Sequence, residues 1–235
     1  MKLNWSHTKP TQGLYFPRSM LQCFSLTLAE CSISNDPVQL YGYIAMRDDR
    51  DCMLNYVLNY SRDDPITAQK GSLIQMTGPK RGIEMVSPVL VEFDMRIKIG
   101  GREEDDPQPV KHRIEGNCGT VDISLACLEA AVEATIEVVI SEVHSGFSLS
   151  LSSFVYVEDD YEEIQLFHGI VDQSCGLRRF VLAVTWCDVM ILKFKLGNNN
   201  VERRCSFKAD LFGCASRQIK HELANISVTV SWSTI

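Results

Sequence analysis

No apolar run in this chain approaches the roughly 20 residues that a membrane-spanning helix needs. The first residues, M-K-L-N-W-S-H-T-K-P, carry a lysine but no apolar core behind it, so no secretory leader is visible. Nine cysteines are present, but no two stand in a C-x-x-C spacing, which argues against a zinc site and a thioredoxin-like pair. A long basic run is also missing. Arg178-Arg179 and Arg203-Arg204 are isolated pairs in the sequence, and the net charge is −7. That balance speaks against a dedicated nucleic-acid binder and against non-specific docking on anionic lipid, which only a local basic patch would override. The expected partner is a protein, with no nucleic acid and no membrane, and the expected compartment is cytoplasmic or nuclear with the cysteines reduced.

Catalytic signatures are equally scarce. Gly78-Pro79-Lys80-Arg81-Gly82 has no G-K-[ST] step and no helix behind it, so it reads as a turn and not as a phosphate cradle. His7, His112, His144, His168 and His221 have neither ligand spacing nor an adjacent nucleophile. No catalytic residue, resident metal or cofactor is expected, and the chain reads as non-enzymatic.

What is present is β-pattern. The chain has 235 residues, 45% apolar and 23% charged, enough for one large all-β domain or two small ones. Val91, Phe93, Met95, Ile97 and Ile99 alternate with Glu92, Asp94, Arg96 and Lys98, one face buried and one wet. Ile226, Val228, Val230 and Trp232 alternate in the same way with Ser227, Thr229 and Ser231. Further strands are read over Leu21–Glu30, Val38–Met46, Met53–Tyr60, Ser72–Thr77, Ile164–Phe167, Arg179–Trp186 and Val189–Leu196. Gly197-Asn198-Asn199-Asn200 has hairpin composition, and Glu202–Leu211 answers it. Trp186 and Trp232 are expected as core anchors. Ala126–Ala134 has helix-forming composition, but alternation from about residue 131 favours a strand, leaving a helical turn possible before it. The fold class is therefore an all-β antiparallel sandwich or open barrel of about ten to twelve strands, with at most short helical turns. Residues 1–20 are read as a flexible N-terminal arm and 21–235 as one domain; the acidic loop at 100–110 is the sole candidate internal boundary.

The most distinctive stretch is Val38–Pro65, where two strand-like runs each end in an Arg-Asp step. Arg47, Asp48, Asp51, Arg62 and Asp63 are the candidate site residues. Loop carboxylates gathered at a sheet edge (Asp48, Asp49, Asp51, Asp63, Asp64) are how Ca²⁺ is held in membrane-docking sandwiches. The alternative has Arg47 and Arg62 pairing with the aspartates to pin the loops, and the two Arg-Asp steps favour it.

Several segments carry a resemblance. L-Q-C-F-S-L-T-L-A (21–29), Y-G-Y-I-A-M-R-D-D-R-D (41–51), N-Y-V-L-N-Y-S-R-D-D-P (55–65), M-T-G-P-K-R-G-I (76–83), V-L-V-E-F-D-M-R-I-K-I-G (89–100), A-V-E-A-T-I (131–136) and V-T-V-S-W-S (228–233) lie in order along the chain. Together they resemble a cereal domain-of-unknown-function family, sometimes attached to ribosome-inactivating rRNA N-glycosidase domains. Leu54 and Tyr60 depart from its pattern, where arginine is expected. The resemblance implies an interaction or accessory module linked to plant stress or defence, and supplies no catalytic residues. Glu129-Ala130-Ala131-Val132 is the nearest text to the glycosidase's E-A-x-R, with Val132 in place of the arginine that stabilises an oxocarbenium-like state.

Overall fold

A computed structural model describes residues 2–3, 16–31, 37–98, 113–116, 119–157, 159–197 and 201–235. In chain order the strands are β1 (Lys2–Leu3), β2 (Arg18–Cys31), β3 (Val38–Arg47), β4 (Asn55–Tyr60), β5 (Ile66–Ala68) and β6 (Ile83–Glu84). Next come β7 (Val89–Ile97), β8 (Arg113–Gly116), β9 (Gly119–Ser141), β10 (Phe147–Val157), β11 (Asp160–Val171) and β12 (Cys175–Gly176). The chain ends with β13 (Phe180–Thr185), β14 (Val189–Leu196), β15 (Val201–Lys208), β16 (Gly213–Lys220) and β17 (Asn225–Ser233). The described residues are all-β, as the alternation requires. The 17 strands exceed the expected ten to twelve in part because β1, β5, β6 and β12 are pieces of two or three residues, each paired with one longer strand.

Three antiparallel sheets result: β1-β7-β3-β4 with β5 on β3, β11-β10-β14-β15, and β16-β17-β9-β2-β6 with β8, β12 and β13 on β9. The arrangement is an open, layered β architecture, not a closed barrel. The 23 residues of β9 are its spine. At Ala131 it pairs with Arg18 of β2 and Thr185 of β13, so these lie on opposite sides. Ile136 likewise takes Val230 of β17 on one side and Phe180 of β13 on the other.

Alternation places the core. Met190, Leu192, Phe194 and Leu196 of β14 and Ile226, Val228, Val230 and Trp232 of β17 are buried, and one contiguous cluster runs through all three sheets. Each such side chain contributes about 1.5–3 kcal/mol relative to exposure. On β7 the burial alternates clearly only at Val89, Leu90 and Val91; Phe93, Met95 and Ile97 pack against the core but are half-buried, as are Glu92 and Arg96. Gly42 (φ +113°) allows β3 to hug β7, because a Cβ there would come within 1.9 Å of the Asp94 carbonyl oxygen.

Some sequence expectations change. Ala126–Ala134 forms no helical turn; it lies wholly within β9, where pairing along both sides overrides helix propensity. A local break survives at Ala130, whose φ is +47°. The strand expected to reach Trp186 stops at Thr185, and a turn through Cys187 (φ +71°) leaves Trp186 42% exposed, not a core anchor. Trp232 is buried as expected. The strand expected over Ser72–Thr77 reduces to a bridge between Leu73 and Thr27. The acidic loop at 100–110, the turn Ser34–Asp36 and Cys118 lie outside the described residues.

Candidate functional site

The first Arg-Asp step lies where β3 ends, and its two residues turn to different partners. Arg47 pairs with Glu92 on β7 and donates to the Cys52 carbonyl. Asp48 pairs with Arg81, a residue of the turn before β6. The expected pairing of Arg47 with an aspartate is thus corrected: the strand register sets Arg47 beside Leu90, close to the Glu92 carboxylate on the neighbouring strand.

The Asp48 side chain is fully buried. Its Oδ2 accepts from Arg81 Nη1 at 2.7 Å and from the Glu84 backbone N–H at 2.8 Å. Its Oδ1 accepts from Arg81 Nη2 at 2.8 Å and from the Asp51 backbone N–H at 3.1 Å. A carboxylate offers about four acceptor sites, and all four are used. Burial alone would raise the Asp48 pKa; the donors from Arg81, Glu84 and Asp51 outweigh it and hold the carboxyl below its ordinary value. The hydrogen bonds that Arg81 donates to Asp48 raise its own pKa in turn.

This pair ties two sheets together. Asp48 closes β3, while Glu84 belongs to β6, which pairs with β2. Around it, Gly82 donates its N–H to Glu133 Oε2 of β9 at 2.6 Å, and Arg18 of β2 pairs with Glu84. Asn55 clasps the same turn, accepting from the Lys80 N–H at 3.0 Å and donating to the Arg81 carbonyl at 2.8 Å. Gly78 is required where the turn passes β4, since a Cβ would come within 2.0 Å of the Tyr56 carbonyl oxygen.

Asp51 approaches the same guanidinium, Oδ2 to Nε at 3.6 Å, and its Oδ1 caps the Met53 N–H at 2.9 Å. Arg62 and Asp63 are exposed on the turn after β4. The structure therefore gathers Asp48 and Asp51 around one guanidinium supplied by the chain itself. Among the described residues no group of three His, Cys, Asp or Glu side chains is arranged to hold a metal.

A second polar feature lies where the 76–79 turn meets β11 and β13. Arg178 donates to the carbonyls of Met76 and Leu166, and its guanidinium lies 5.2 Å from the Phe180 ring centroid. Burial lowers its pKa. The recess beside it, lined by Gln22, Cys23, Thr77 and Gln165, has a volume of about 20 Å³, room for one water molecule. Substrate pockets are usually of order 300 Å³ or more. The Cys23 thiol in its wall is pushed up to about 12 by burial, far from a nucleophilic thiolate.

The family model for a domain of unknown function (DUF6598) matches residues 20–231. The chain belongs to this family. No curated protein and no solved structure matches the chain. The DUF6598 match begins within β2 and ends within β17, so it takes in the Asp48–Arg81 tie and all three sheets.

Sequence reading missed Arg81, Glu84 and Glu133 as partners of the Arg-Asp stretch. Arg81 and Glu84 lie in a segment without periodicity, although M-T-G-P-K-R-G-I was already among the distinctive segments, and the alternation around Glu133 gives its strand but not its partner. It also treated Arg203-Arg204 as isolated. The β14–β15 register places Arg204 directly opposite Lys193. The available signal was alternation: Lys193 and Lys195 share one strand face, and the antiparallel return of β15 sets Arg204 beside them.

Proposed function

We propose that this DUF6598 domain is a non-enzymatic interaction module whose charged family-motif residues build the scaffold while its surface meets a protein partner. One observation carries the reading: the carboxylate at the centre of the most distinctive stretch spends all four acceptor sites inside the chain. A carboxylate so saturated and held ionised has no proton to give and no free lone pair for a substrate. An accessory role in plant stress or defence, beside rRNA N-glycosidase domains, belongs to the same proposal and rests on the family resemblance alone.

The test is covalent capture from cereal tissue with a photo-crosslinker at exposed positions, followed by reconstitution from purified components. A stoichiometric complex that re-forms in isolation is expected. Absence of any such complex, or turnover of a small molecule that is lost with the folded domain, would overturn the reading.

A further inference from the structure

We infer that the outer edge of β15 is a docking site for an acidic, extended polypeptide segment that adds to the sheet as a further strand. The inference rests on the interaction-module reading and names where and how the partner binds. In the four-stranded sheet β15 is terminal: it pairs with β14, and among the described residues no strand pairs along its other side. A terminal strand presents unpaired backbone donors and acceptors, which a peptide in extended conformation satisfies.

Charge selects the partner. The hairpin Val189–Lys208 carries Lys193, Lys195, Arg203, Arg204 and Lys208 against the single carboxylate Glu202, within a chain of net charge −7. Two of these cations are engaged: Lys193 meets Glu163 at 3.0 Å and lies 4.3 Å from the Phe154 ring centroid, and Arg204 holds Glu202 at 2.6 Å. Lys208 and Lys195, the latter across from Glu202, share the face of Arg204, and exposed Arg203 stands at the end of the other face, so cations outnumber the carboxylate along the strand. Cationic side chains also keep the β15 edges of two copies apart, so the edge is closed to its own kind and open to an acidic strand. The opposite edge of the same sheet begins with Asp160, Glu162 and Glu163, so the basic character belongs to β15 and not to the sheet.

Alternation selects the pattern. Glu202, Arg204, Ser206 and Lys208 face outward, while Phe207 is buried and Cys205 half-buried on the inner face. An added strand sets every second side chain beside Arg204 and Lys208 and the ones between beside Cys205 and Phe207. Acidic residues fit the first set and apolar residues the second. Arg217 of β16, whose guanidinium lies 5.6 Å from the Phe207 ring, flanks the inner row.

The test uses the full chain and a labelled eight-residue peptide of alternating valine and glutamate, with a valine–lysine peptide and an octauridylate as comparators. Anisotropy titrations should give saturable binding of the glutamate peptide alone, weakened by salt and about tenfold by Arg204→Glu with Lys208→Glu, a loss the size of one decade in Kd. Hydrogen exchange should slow at the backbone amides of Glu202–Lys208 and not in β16. Both substituted positions are exposed, and an unchanged unfolding midpoint shows that the fold is kept. Four results would overturn the inference: no saturable binding, binding unaffected by the charge reversal, preference for the oligonucleotide, or self-association through the acidic start of β11 in another copy. Any of these removes the β15 edge and leaves the module reading standing, because that reading falls only with the capture and reconstitution experiment.

Discussion

Asp48–Arg81 and Arg204–Glu202 are both short arginine–carboxylate contacts, yet they do opposite things. The first is buried, bidentate and completed by two backbone N–H groups, and it joins β3 to β6. The second stands on a terminal strand, with its arginine side chain 64% exposed, and joins residues two apart on β15. Water screens the exposed pair, so it contributes little to stability. Removing one member of the buried pair leaves an uncompensated charge where water cannot follow. Chemical type therefore says little about a charged pair; what surrounds it decides whether it is scaffold or surface.

The sharpest way to break the contrast is Arg81→Ala, which should cost about 3–5 kcal/mol by denaturant unfolding, against about 0.5 or less for Arg204→Ala. Equal losses would mean that Asp48 is reached by water. The core sets a comparable scale: Phe194→Ala, at a fully buried position, should cost about 3–5 kcal/mol, and half-buried Phe93→Ala clearly less. A smaller but more selective effect lies in pH. Asp48 has a folded pKa below its unfolded value of about 3.9, so its stabilisation is fully present above that value. It is lost as pH falls through the folded pKa. The acid limb of the stability curve should flatten in Asp48→Asn and keep its slope in Arg204→Ala. The smallest expected effect is with Ca²⁺: saturating ion should leave the melting temperature unchanged, since Arg81 already supplies the cation between Asp48 and Asp51. A Ca²⁺-dependent rise abolished by Asp51→Asn would revive metal-dependent docking.

How much of this was legible in the sequence depended on the range of the cause. Strands such as β14 and β17 are written in their own alternation, which local burial dictates, and both were readable. Ala126–Ala134 was ambiguous because its alanines and leucines favour helix locally, and only partners more than 40 residues away hold it extended. Trp186 was misplaced because nothing local distinguishes the last residue of a strand from the first of a turn. The Asp48 site was half legible. The Arg-Asp step drew attention to the right carboxylate, but its partner stands 33 residues on, in a turn without periodicity. The basic hairpin was hidden in the same way, since its charges adjoin only across the β14–β15 register.

The long spine β9 has a consequence for how the protein is made. Its C-terminal half needs β17, residues Asn225–Ser233, along one side and β13 along the other. During synthesis β9 leaves the ribosome some ninety residues before β17 exists. At about 5–20 residues per second the nascent chain spends several seconds with that side uncovered. Contacts so distant in sequence also close slowly. A chain cut short before β17 would leave that side of β9 unpaired, and is expected to aggregate and not to form a smaller folded unit.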